Sequence, residues 1–130
     1  MSEKTIVRVR DVMTDNYQLV DGMLMVNEAL DIMKKTGVRV LIVDKRNPDD
    51  EYGIVLLTDI SRKVLAVNRA ADRVNIYEVM SKPVVGINIA MDIRYCARLF
   101  SNLGLSYAPV IEDGVIKGIV GYSAMLMYNL

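Results

Sequence analysis

The residues with the clearest chemical use lie in one stretch, Gly53-Ile54-Val55-Leu56-Leu57-Thr58-Asp59-Ile60. Its apolar first half has the length of a buried strand. Thr58 and Asp59 are residue types that open helices by accepting the free N–H groups of the first turn. A strand running into a helix N-terminus turns backbone N–H groups and the positive end of the helix dipole to solvent, which suits anions. An acid at that edge can also take a pair of sugar hydroxyls. The same unit recurs as Gly118-Ile119-Val120-Gly121-Tyr122-Ser123-Ala124-Met125, with alanine where the acid stood. Asp59 therefore has two readings, a ribose acceptor or a cap for its own helix.

Little else in the chain is reactive. With no histidine among 130 residues, a Ser-His-Asp triad and histidine metal ligands are both excluded. Cys96 is the single cysteine, so no intramolecular disulfide forms. It is expected as a small buried hydrophobe in an intracellular protein rather than as a nucleophile. Sixteen basic and sixteen acidic residues cancel, which argues against a nucleic-acid partner. No nucleophile–base pair, metal cluster or phosphate-cradling glycine loop is legible, so no catalysis and no metal are expected. Asp49, Asp50 and Glu51 sit together after Pro48 in a polar loop, where solvation is the expected role. No apolar run approaches the roughly 20 residues of a membrane span, and residues 1–10 lack the apolar segment of a signal peptide. A cytoplasmic location, away from membranes, is the expectation.

The elements that must position Asp59 follow from periodicity. Apolar residues make up 52% of the chain, enough for a sizeable core. Residues 1–9 alternate as a strand does, and 10–14 read as a short helical turn. A short strand is expected over 17–20 and a helix over 25–35, with Val26, Ala29, Leu30 and Met33 on one face and Gly37 ending it. Strands are expected over 38–44 and 52–57, joined as a hairpin. A helix follows over 58–68, with Ile60, Val64 and Val67 inward and Arg62, Lys63 and Arg69 outward.

After a linker at 70–73 the pattern returns. Glu78-Val79-Met80-Ser81 echoes Asp11-Val12-Met13-Thr14, and the helix over 91–103, ended by Gly104, echoes the first helix and Gly37 at the same spacing. Tyr107-Ala108-Pro109-Val110 matches the strand at 40–43. The second hairpin loop is two residues shorter, and the closing helix covers 123–130. A length change confined to a loop, with register kept on both sides, is the mark of duplication. The copies are 1–69 and 74–130.

The ordered pairs Asp11-Val12-Met13-Thr14 with Glu78-Val79-Met80-Ser81-Lys82-Pro83, Glu28-Ala29-Leu30 with Met33, Pro109-Val110, and two Gly-Ile-Val strands resemble the CBS-domain family, whose members come in tandem pairs called Bateman modules. The resemblance covers the chain from about Val7 onward. It implies an α/β fold (α+β-like) of two tandem motifs, packed sheet to sheet about a pseudo-two-fold axis. It also implies clefts for adenosyl compounds, namely AMP, ADP, ATP or S-adenosylmethionine, and assembly as a homodimer through the terminal helices.

In that family the site motif is Gly, two apolar residues, Thr or Ser, two variable residues, then Asp. Here Leu56 takes the Thr/Ser position and Asp59 the Asp position. In the second copy both are lost, to Gly121 and Ala124. The resemblance thus implies one regulatory cleft, with Asp59 on the ribose. Thr58, Arg62 and Lys82 would lie near ribose or phosphate, and Met80, Ser81, Val85, Ser106 and Tyr107 near the base. The alternative is a ligand-free dimerisation or scaffold module acting through protein partners.

Overall fold

The computed structural model describes residues 5–129. The elements run α1 (Val9–Val12), β1 (Gln18–Val20), α2 (Val26–Thr36), β2 (Val40–Val43), β3 (Gly53–Leu56), α3 (Leu57–Ile60), α4 (Ile93–Leu103), β4 (Tyr107–Glu112), β5 (Val115–Gly121) and α5 (Tyr122–Asn129). Short 3₁₀ turns occupy Ala71–Arg73 and Ile76–Glu78, and a π-helical turn at Ser61–Leu65 continues α3. The fold is therefore mixed α/β, with small sheets and helices.

The chain divides into two compact units. One is Asn16–Val84; the other joins residues up to Asp15 with those from Val85 onward. These units differ from the two sequence copies, because each contains the opening motif of the other copy. In the first unit, the motif of the second copy lies on the first copy's strand. Ser81 and Ile54 exchange backbone hydrogen bonds of 2.9 and 3.0 Å, and Ile76 N–H donates to the Leu24 carbonyl at 2.8 Å. In the second unit the first copy's motif does the same. Thr14 and Ile119 exchange two bonds of 2.9 Å, and Val9 N–H donates to the Met91 carbonyl.

Within Asn16–Val84 the sheet order is β1-β2-β3, with β1 parallel to β2 and β2 antiparallel to β3. Val40 stands opposite Leu56 and Val43 opposite Gly53. The four residues of β2 are buried on both faces, which explains their uninterrupted apolar run. The core joins Val26, Ala29 and Met33 of α2 to Leu41, Val55, Ile60 and the exchanged Ile76 and Val79. Gly37, at φ 77°, ends α2 in the left-handed conformation that glycine adopts without strain.

In the other unit β4 and β5 form an antiparallel pair. Phe100, Cys96 and Ile93 of α4 pack with Val110, Val120 and the exchanged Val9 and Val12. Ile87 makes one parallel bridge to Val110. Residues 84–87 form no strand beyond that bridge.

Two further expectations need correction. Residues 1–4 lie outside the described residues, and of the strand expected over 1–9 the described part is no strand: only Arg8 bridges, to Asp92, and Val9 already belongs to α1. Val67, expected inward, is 58% exposed. The π-helical turn breaks the 3.6-residue phase, and Asn68 leaves the helix at φ 61°. Among the described residues, no helix is long and apolar enough to cross a membrane.

Candidate functional site

Four helical turns in this chain open in one way. A carboxylate on the third residue accepts the backbone N–H three positions earlier: Asp11 from Arg8 at 2.9 Å, Glu28 from Met25 at 3.1 Å, Asp59 from Leu56 at 2.8 Å, and Glu78 from Asn75 at 2.8 Å. The acids of the two opening motifs are thus caps, and Asp59 caps α3. The helix cap was one of the two readings open from sequence.

Burial sets Asp59 apart. At 6% exposure it is the one buried charged residue among those described. Oδ2 holds the Leu56 N–H, while Oδ1 receives a guanidinium N–H of Arg62. The Arg62 side chain is 70% exposed. One carboxylate oxygen is therefore fixed by the fold, and the other is held only by a solvent-facing side chain.

The remaining predicted residues are placed as follows. Thr58 is exposed on the first turn of α3. Ser81 is tied through its backbone to Ile54, and Met80 packs on the core with its sulfur over Gly53. Lys82 forms an ion pair with Asp50 at 2.6 Å, and Arg46 reaches the other oxygen of the same acid at 3.2 Å. Asp50 was expected to be solvated. Instead the Lys82 ammonium, together with the Arg46 backbone N–H, holds its carboxyl far below the usual carboxylate range. Met80 and Lys82 line a cavity of about 220 Å³ with Asp21, Val43, Asp44 and Tyr77, at the Gly53 end of the sheet. Asp59 follows the Leu56 end, so the length of β3, roughly 10 Å, separates the two ends.

Val85, Ser106 and Tyr107 belong to the other unit. Val85 is 37% exposed. The Ser106 carbonyl accepts the Tyr122 N–H at 2.9 Å. The Tyr107 ring covers Gly121: a Cβ there would lie 2.9 Å from Tyr107 Cε1. In the second copy the Thr/Ser position of the motif is therefore occupied by a tyrosine ring lying over a glycine.

Sequence reading passed over Arg39. Its carbonyl accepts the Leu57 N–H at 3.0 Å, so this exposed cation sits beside the start of α3. The signal was present, since the residue directly precedes β2, whose first residue pairs with Leu56.

Two α/β units, each closed by the other copy's opening motif, with one buried carboxylate at a strand-to-helix junction, define a tandem repeat module. The chain belongs to the CBS domain family, whose model matches residues 9–66 and 76–129. It is similar to the hexameric CBS-CP12 protein from bloom-forming cyanobacteria, at 36% identity and a TM-score of 0.90 over 95% of this chain and 68% of that one. The CBS domain pair of protein MJ0100, solved in complex with 5′-methylthioadenosine and S-adenosyl-L-methionine, shares the fold at 23% identity and a TM-score of 0.80, covering 96% of this chain and 97% of that one. An uncharacterised protein of Methanopyrus kandleri is 29% identical over 90 residues, 68% of this chain. The chain covers 45% of that relative's length.

Proposed function

We propose that this CBS pair is a cytoplasmic, non-enzymatic regulatory module that binds one adenosyl compound, with its ribose on Asp59. The observation that carries this reading is the buried Asp59 carboxylate with one oxygen locked on Leu56 and the other held by an exposed side chain. A ribose diol donating to Oδ1 would leave the cap on Oδ2 intact, so binding need not unfold the helix start. The adenosyl ligands of the MJ0100 pair support the ligand class. Tyr107 over Gly121 supports a single site, since the second copy has Gly121 and Ala124 at the two polar positions of the motif. The module self-associates as a homodimer, and a partner protein reads the ligand-dependent shift in its populations.

The test is a thermal-shift panel of AMP, ADP, ATP, S-adenosylmethionine and NAD on the wild type and on Asp59→Asn. The asparagine can still accept the Leu56 N–H but lacks the charge. A ligand at 100 times its dissociation constant adds about 2.7 kcal/mol. The reading expects stabilisation by at least one adenosyl compound that Asp59→Asn loses. A folded sample that responds to none of them favours the scaffold alternative.

A further inference from the structure

We propose that Arg62 selects the ligand at Asp59, by holding the oxygen that a ribose must take and thereby favouring adenosine compounds that carry a phosphate. This inference rests on the ribose assignment to Asp59 made above. The other cations that follow Asp59 closely in the chain are engaged elsewhere. Lys63 Nζ donates to the Val79 carbonyl at 3.1 Å, and Arg69 pairs with Glu78 at 2.9 Å. Arg62 alone of the three is bound to Asp59, one turn away, through a guanidinium whose other face meets solvent.

Ligand binding at Asp59 is then an exchange. The incoming diol donates to Oδ1, and the Arg62 guanidinium gives up its contact there. It stays tethered three residues from Asp59, beside the bound sugar. A neutral nucleoside takes the Oδ1 contact from this guanidinium and offers no anionic partner in exchange. A sulfonium ligand brings a second positive charge close to it. A 5′-phosphate restores the pairing, and the planar guanidinium can meet two of its oxygens at once. Arg39, at the adjoining strand end, adds charge of the same sign to that edge. The arrangement therefore ranks AMP or ADP above adenosine, and adenosine above S-adenosylmethionine.

The experiment is calorimetric titration of AMP, adenosine and S-adenosylmethionine into the wild type, Arg62→Gln, Arg62→Lys and Asp59→Asn, at low and high salt. The wild type is expected to bind AMP at least tenfold more tightly than adenosine, with a preference that shrinks as salt rises. In Arg62→Gln the ratio should fall below about threefold, and adenosine should bind more tightly than in the wild type because Oδ1 is open. Arg62→Lys, which keeps the charge without the fork, should fall between. An AMP-to-adenosine ratio unchanged in Arg62→Gln, with binding still lost in Asp59→Asn, overturns the role of Arg62 and leaves the Asp59 site standing. Binding of adenosine or S-adenosylmethionine equal to that of AMP in the wild type also overturns it. Titration heats that persist in Asp59→Asn, or that are absent with every ligand, overturn the site and the role of Arg62 together.

Discussion

Gly118→Ala tests the exchange of opening motifs at the atom where the two copies' segments meet. A Cβ on Gly118 would stand 2.9 Å from the Thr14 carbonyl oxygen and 3.2 Å from the Met13 sulfur. The sulfur can move; the carbonyl cannot do so independently, because it accepts the Ile119 N–H at 2.9 Å. Relief requires the motif to lift from the strand and weaken both Thr14–Ile119 bonds. Two such bonds contribute about 1–3 kcal/mol together, and the crowding itself costs about 1–3 kcal/mol. Alanine returns about 0.4–1 kcal/mol by restricting the unfolded chain. The net loss is therefore about 1–6 kcal/mol. Gly53→Ala is the internal control: its Cβ would meet the Met80 side chain, 2.6 Å from the sulfur, and a flexible thioether can give way. Its loss should stay near 1 kcal/mol. Urea unfolding reads both, as a change in midpoint at constant slope. A Gly118→Ala variant within about 0.5 kcal/mol of the wild type would refute the packing of the first opening motif on the second copy's strand.

Three further outcomes follow from the same geometry. Asp50, Glu78 and Asp92 are held below their ordinary carboxylate range, chiefly by Lys82, the Asn75 N–H and Arg94 respectively. Groups with depressed folded values contribute stability above the unfolded range near pH 4. That stability is lost as pH falls through their folded values, so acid unfolding should steepen below about pH 4, and Lys82→Met should flatten the profile measured by circular dichroism. Cys96 is buried, and burial pushes its thiol up to about 11. A thiol reagent at pH 8 should therefore label it only as fast as the protein unfolds, and rapid stoichiometric labelling of the native protein would contradict this placement. Tyr107→Ala should uncover Gly121 without creating a second site, because Gly121 and Ala124 still supply neither hydroxyl nor acid; titration to two adenosyl sites per chain would contradict this.

The short strands, α2, α4 and the hairpins were legible because each carries its own local signal. The buried run of β2, the apolar face of α2 and the glycines at 37 and 104 need no distant information. The repeat was legible as well, because its two copies differ in length only within a hairpin loop. The exchange of opening motifs was not, since Ser81 on Ile54 and Thr14 on Ile119 join residues far apart in sequence, and no periodicity encodes that pairing. Val67 was misplaced for a different reason. A π-helical turn shifts the phase of every later residue, and Ser61–Leu65 carries no composition that announces one. At the site, the position of Asp59 was readable from its place after a Gly-Ile-Val strand. Its division of labour between Leu56 and Arg62 was not, because a sequence shows which acid opens a helix and not which oxygen is committed. The resemblance places Lys82 near the ligand, and its ion pair with the loop acid Asp50 is a long-range contact that no local pattern encodes.

The most direct test of the central claim is isothermal titration of AMP into the wild type and into Asp59→Asn, with both variants shown to be folded beforehand. The account predicts saturable binding at one site per chain in the wild type, and at least a tenfold loss of affinity in Asp59→Asn. That loss corresponds to about 1.4 kcal/mol of interaction with the carboxylate. Equal affinity in the two proteins would contradict a ribose held by Asp59, and would leave that residue as the helix cap it also is.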